Sequence, residues 1–269
     1  MKVGFYQYKP RFGDVQFNLR KVIKKLSGVQ ADLIVLPELA FTGYFFRNRQ
    51  EVKHLAEDPK KSTTVDALTA LCKTNKMHIV TGFTEKSRDK YFNSALLIGP
   101  RGVKHVYRKI HLFNEEKKWF DPGNIQLQVN RIADVRIGIM ICFDWVFPEV
   151  ARILAIQGAD IICHPSNLVL TYCQQTMLTR CLENKVYAIT TNRFGYDKRP
   201  HGDLKFTGYS QIVAPGGKLI YRAASQREEL YLMDIDPKLS RDKSITPLNE
   251  VIRDRRPDFY KVLTKTKGK

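Results

Sequence analysis

The sequence predicts an α/β fold with mixed sheets, and three observations carry that expectation. Short apolar runs of strand length alternate with amphipathic segments along most of the chain. Two turns rich in Gly and Pro, Gly99-Pro100-Arg101-Gly102 and Pro215-Gly216-Gly217, read as hairpins. The 269 residues, 43% hydrophobic and 27% charged, suit one large domain able to bury its own core. Hairpins pair strands antiparallel and helical crossovers pair them parallel, so a chain with both must build mixed sheets.

The elements follow in order. Val3 to Tyr8 reads as a strand, and Asp14 then caps a helix with apolar positions at Val15, Leu19, Val22, Ile23 and Leu26. Asp32 to Leu36 is a continuous apolar strand of the kind buried on both faces. A helix from about Thr64 to Asn75 precedes a strand from His78 to Phe83, and the first hairpin joins Ala95–Ile98 to Val103–Tyr107. In the second half Val135 to Cys142 reads as a strand, with Ile137, Ile139 and Ile141 on one face and Gly138, Met140 and Cys142 on the other. Pro148 to Gln157 is a helix stopped by Gly158, Ala159 to Cys163 a strand, and about Gln174 to Lys185 a helix before the strand Val186–Thr191. Strands at Ser210–Ala214, Lys218–Tyr221 and Glu229–Asp234 complete the pattern. No repeat, linker or low-complexity tract divides it, which favours one domain.

Composition excludes several function classes. No apolar run approaches the roughly 20 residues of a membrane span. Met1 to Tyr6 lead directly into a strand without the apolar core of a secretory signal, so the sequence predicts a cytoplasmic protein. The five cysteines (Cys72, Cys142, Cys163, Cys173, Cys181) form no C-x-x-C pair, which argues against a disulfide framework or a zinc site. The net charge of +18 raises the question of an acidic partner. The excess is dispersed: residues 253–269 contribute net +5, and no nucleic-acid-binding motif accompanies the rest. A basic surface with a Lys-rich C-terminal extension, 251–269, accounts for it without nucleic acid.

Three segments place reactive side chains at the ends of apolar strands, where the loops of an α/β sheet build sites. Glu38 follows Leu36-Pro37; a carboxylate just beyond a buried strand has a raised pKa suited to a base, and a cap on the next helix is the alternative. Arg108-Lys109-Ile110-His111-Leu112-Phe113, followed by Glu115 and Glu116, offers a lysine for an oxyanion and a glutamate for proton handling. Cys142, expected as the last residue of its strand ahead of a helix opening with Pro148 and Glu149, offers a thiol; a buried structural cysteine is the alternative. Cys163 and His164 point to opposite faces of a strand and cannot form a dyad without a bulge. Cys72 sits at an apolar helix position. His111 as the base for a thiol would describe a cysteine protease, and a structural hydrogen-bonding role is the simpler reading.

Taken together, Glu38, Lys109 and Cys142 with their flanks resemble the nitrilase superfamily of carbon–nitrogen hydrolases. The resemblance rests on Leu36-Pro37-Glu38, Arg108 to Phe113, Phe120-x-Pro122-Gly123, Ile141-Cys142-Phe143-Asp144, Phe147-Pro148-Glu149 and His164-Pro165-Ser166-Asn167. It continues through Arg180-x-x-Glu183-Asn184, Phe206-x-Gly208-x-Ser210-x-Ile212 and Pro215-x-Gly217, and so covers about residues 1–250. It implies a four-layer α-β-β-α sandwich with two mixed sheets, a Glu38–Lys109–Cys142 triad, and neither cofactor nor metal. It implies further that the backbone N–H of Phe143 helps bind the oxyanion and that a second glutamate, Glu116 or failing that Glu115, assists. Tyr44, Trp145, Asn167 and Leu168 lie beside the motifs and are candidate pocket walls. A homodimer through the helix carrying Arg180 and Glu183 is expected. Cys142-Phe143-Asp144 resembles the amidase and carbamoylase side, so a small amide leads, ahead of a nitrile or an N-carbamoyl amino acid. A non-enzymatic binder of acidic partners is the alternative of another class.

Overall fold

The computed structural model describes residues 1–265. The first half of the chain forms β1 (Lys2–Gln7), α1 (Val15–Leu26), β2 (Leu33–Val35), α2 (Arg49–Leu55), α3 (Thr63–Asn75), β3 (His78–Ser87), β4 (Lys90–Gly99), β5 (Gly102–Arg108) and the single turn α4 (Glu116–Trp119). The second half forms β6 (Asn130–Ile132), β7 (Val135–Ile139), α5 (Pro148–Ile156), β8 (Ile161–Pro165), α6 (Cys173–Asn184), β9 (Tyr187–Thr191), the hairpin β10 (Phe194–Arg199) and β11 (Gly202–Thr207), then β12 (Gln211–Val213), β13 (Leu219–Arg222) and β14 (Glu229–Asp234). Two six-stranded sheets result, ordered β14-β1-β2-β3-β4-β5 and β13-β12-β9-β8-β7-β6. Both are mixed. β1, β2 and β3 run parallel, as do β7, β8 and β9, while the hairpin strands pair antiparallel.

Side-chain alternation explains why the sheets stack. Val3, Phe5, Leu33, Val35 and Leu97 point inward from the first sheet and meet Ile137, Ile139, Ile161 and Ile189 from the second, all buried in one apolar cluster. The intervening residues, Tyr6, Ile34, Ile79 and Leu96, point outward and pack under Leu19, Val22, Leu26 of α1 and Leu68, Leu71, Cys72 of α3. On the far side, Val150 and Leu154 of α5 and Met177 and Cys181 of α6 cover the second sheet. The layers are therefore α-β-β-α. The helix ends follow the sequence signals: the Asp14 side chain accepts from the Phe17 N–H, Ser62 caps α3 through the Val65 N–H, and Pro148 opens α5.

Several boundaries differ from expectation, each for a visible reason. β3 and β4 extend to a tight turn, pairing Ser87 with Lys90, because buried Thr84, Asn93 and Ser94 are satisfied by hydrogen bonds inside the fold. Polar residues there broke the apolar pattern without breaking the strand. α2 buries just Val52 of its seven residues, so it has no periodic signature. The β10–β11 hairpin is rich in charge, and its anchor is buried Arg193, which pairs with Asp197 at 2.7 and 2.9 Å and stacks on Phe206. β7 ends at Ile139, so Cys142 is not the last residue of a strand. Past β14 the described chain forms a small ribbon, Ser244–Thr246 with Asn249–Glu250, and three short 3-10 turns; the last four residues of the basic extension, 266–269, lie outside the described residues.

Candidate active site

Glu38 lies three residues past β2 and is fully buried. The loop carrying it runs against β3 so closely that a Cβ at Gly82 would stand 2.4 Å from the Glu38 Cα and 2.3 Å from the Leu39 nitrogen. Its Oε1 accepts from Lys109 Nζ at 2.7 Å and from Asn93 Nδ2 at 2.7 Å, while Oε2 has no partner. Burial pushes the Glu38 pKa up, Lys109 pulls it down and Glu116 pushes it up again; the net direction is upward.

Lys109 directly follows β5 and is also fully buried. Its backbone N–H donates to the Asn93 carbonyl and its carbonyl accepts from Gly123, which fixes the side chain's direction. Nζ donates to Glu38 and, at 2.8 Å, to Glu116 Oε1. Burial opposes the lysine's charge, but Glu116 and Glu38 outweigh it and hold the pKa above its ordinary value. Glu116 opens α4, buried, and its Oε1 also accepts from the Tyr44 hydroxyl at 2.6 Å. Glu115 instead faces outward and pairs with Lys118 at 3.0 Å. Of the two glutamates, Glu116 is the one that reaches Lys109.

Cys142 opens a 3-10 turn, Cys142–Val146, with φ +41°, a left-handed conformation that L-residues other than Gly and Asn seldom adopt. Asp144 makes the bend. Its buried carboxylate accepts from the Ile141 N–H at 2.8 Å and the Tyr107 hydroxyl at 2.7 Å, and its other oxygen contacts His111 Nδ1 at 2.9 Å. His164 Nε2 lies 2.9 Å from the Cys142 carbonyl, and burial lowers this histidine's pKa to about 4, so it donates as a neutral ring. Desolvation and then Glu38 raise the Cys142 pKa well above the ordinary thiol range, against the pull of Lys109. These influences together favour the protonated thiol. The N–H groups of Cys142 and Phe143, in the first turn of the 3-10 helix, have no acceptor within that helix.

The remaining expected residues gather around this centre. The Asn167 side-chain amide donates to the Glu38 carbonyl at 2.8 Å, linking the loop after β8 to the loop after β2. Trp145, Asn167 and Leu168 line a hollow of about 250 Å³ together with Cys142, Phe113 and Phe143. Tyr44 and Glu116 line an adjoining hollow of about 470 Å³ with Phe46, Trp119 and Phe120. Phe113 and Val169 border both. His111 is stacked on Phe147 at 3.6 Å and engaged with Asp144, the place of a structural hydrogen-bonder. Cys163 faces the intersheet core, on the side of β8 opposite His164, and burial raises the Cys72 thiol to about 12. Sequence reasoning gave no role to Asn93, Asp144 or Tyr107; two consecutive buried polar residues inside an apolar strand, Asn93-Ser94, were the available signal. Among the described residues no group of three His, Cys, Asp or Glu side chains could hold a metal ion, and no helix is long and apolar enough to cross a membrane.

Residues 2–243 match the carbon–nitrogen hydrolase family model. The chain belongs to that family, within the nitrilase superfamily. It is 41% identical over 263 residues to a protein named nitrilase from Pyrococcus abyssi, covering 97% of this chain and 99% of that one. It is 30% identical to an (R)-stereoselective amidase from a Pseudomonas species, covering 95% and 92%. A carbon–nitrogen hydrolase structure from Helicobacter pylori G27 superposes with TM-score 0.89 at 25% identity over 99% of this chain and 98% of that one.

Proposed function

We propose that the protein is an amidase that hydrolyses a small amide through a Cys142 thioester and releases ammonia. The supporting observation is the buried cluster in which Lys109 Nζ bridges Glu38 and Glu116 beside the Cys142 thiol. An amide is unreactive because resonance stabilises its carbonyl and its nitrogen leaves poorly, so a soft nucleophile, oxyanion donors and an acid are all required. Glu38, its pKa raised, takes the thiol proton; the sulfur attacks the carbonyl carbon and the carbonyl electrons move onto oxygen. Two of the three Lys109 ammonium donors are engaged by the glutamates, and the third serves the oxyanion with the Phe143 N–H. Glu38 returns its proton to the departing nitrogen, ammonia leaves and the thioester remains. Glu38 then deprotonates water, which displaces the thiolate as a carboxylic acid forms, and the thiolate regains the proton. Glu116, held by Lys109 and Tyr44, positions the lysine.

The test is ammonia release from an amide panel beside Cys142→Ala, with intact mass recorded during turnover. Release that vanishes in the variant, together with an acyl adduct on the wild type, supports the reading; release that survives in Cys142→Ala overturns it. Nitrile hydrolysis is a second reading, favoured by the name of the Pyrococcus relative. Butyronitrile turnover without butyramide turnover would select it. We also infer a homodimer through α5 and α6, whose outer faces expose Ile153, Ile156 and Leu182 around the Arg180–Glu183 pair. Sedimentation of the wild type as a monomer would refute that assembly.

A further inference from the structure

Resting on the amidase reading, we infer that the site selects an uncharged primary amide with an apolar acyl group, and that Phe113 sets the acyl length. The first observation is the lining. The hollow at Cys142 is walled by Phe113, Phe143, Trp145, Leu168, Val169 and Leu170, with Asn167 as its polar member beside the thiol. Among the described residues no Arg, Lys or His lines either hollow. The chain carries +18 overall, yet that charge supplies no partner for a substrate carboxylate here. An anion in this space would be desolvated, and the one cation at the centre, Lys109, is already matched by two carboxylates, Glu38 and Glu116.

The second observation is the hydrogen-bonding valence left open. Glu38 Oε2 and Asn167 Oδ1 are buried polar atoms with no partner. Both are acceptors, and the Asn167 amide nitrogen is already committed to the Glu38 carbonyl. A primary amide nitrogen brings two N–H donors to such a site; a carboxylate brings acceptors and a nitrile brings no donor. The third observation is size. The hollow is small, about 250 Å³ of space that includes its open mouth, so a longer acyl chain would have to reach past its border. Phe113 borders this hollow and the larger one beyond, and its ring packs on Phe143 at 5.0 Å. Its backbone N–H is tied to Glu116 Oε2 at 3.2 Å, so the partition stands at a fixed place.

The experiment compares kcat/KM for butyramide, succinamic acid, 4-aminobutyramide and hexanamide, by ammonia release, in the wild type, Phe113→Ala and Phe113→Leu. The expected wild-type result is a preference for butyramide over both charged analogues of at least 100-fold. The hexanamide-to-butyramide ratio is expected to rise at least tenfold in Phe113→Ala and less in Phe113→Leu. Equal or faster turnover of either charged analogue overturns the selectivity while leaving the amidase reading intact. An unchanged chain-length ratio in both variants overturns the role of Phe113. Absence of Cys142-dependent ammonia from every amide overturns the amidase reading and the inference with it.

Discussion

Replacing Lys109 by methionine tests whether the buried cluster is held by charge. Methionine keeps the length of the side chain and removes the ammonium that lies 2.7 Å from Glu38 and 2.8 Å from Glu116. Two carboxylates would then share a dry space with no counter-charge. Removing one partner of a buried ion pair costs about 3–5 kcal/mol. At about 2–4 °C per kcal/mol for a chain near this size, Tm should fall by roughly 6–20 °C near pH 8. The pH dependence has a definite sign. The Glu38 pKa is already raised by burial, and losing the lysine, which lowers it, raises it further. A carboxyl with a raised folded pKa holds its proton more tightly in the native state, so its contribution is present below the unfolded pKa and lost as pH rises through the folded one. The Lys109→Met deficit should therefore shrink as pH is lowered from about 8 toward 5. Scanning calorimetry of both proteins across that range measures it. Equal midpoints near pH 8, or a deficit indifferent to pH, would refute the argument.

Three further outcomes are expected. Gly82→Ala places a Cβ 2.3–2.4 Å from the backbone of Glu38 and Leu39, so amide turnover should drop at least tenfold with a lowered Tm; normal turnover would show that the Glu38 loop can move freely. His111→Ala removes a contact to Asp144, so kcat should fall less than about tenfold, whereas loss of a general base costs about 10²–10⁴-fold, and a fall of that size would mean His111 handles protons. The Cys142 thiol, raised by burial and Glu38, should react slowly with iodoacetamide near pH 7 and faster as pH rises; rapid, pH-independent alkylation would indicate a resting thiolate.

Where apolar alternation and caps dominate, the sequence was sufficient. β14 occupies the residues the pattern marked, and Asp14 caps α1 as its position implied. The segments carrying the proposed triad stood out because each follows an apolar run that stops abruptly. What escaped depended on partners distant in sequence. Asn93 matters because β4 lies beside β3, in reach of Glu38 across 55 positions. The left-handed turn at Cys142 depends on Asp144, and that carboxylate is tolerated in the core because Tyr107, the Ile141 N–H and His111 surround it. Strand periodicity continued through Ile141, and nothing local announced that pairing would end at Ile139. The α2 helix and the β10–β11 hairpin escaped for the opposite reason, since charged and half-exposed positions carry no period.

The centre is assembled across the seam between the two sheets. Glu38, Asn93 and Lys109 come from one sheet or the loops after its strands, while Cys142 and Asn167 follow strands of the other, and the Asn167 amide bonded to the Glu38 carbonyl ties the two sides together. Turnover thereby reports on how the halves of the molecule are seated against one another. A slip of an ångström along that seam, too slight to alter either sheet's own hydrogen bonds, would carry the Cys142 sulfur away from Glu38, its proposed base. In rising denaturant the enzyme should fall silent before its circular dichroism changes.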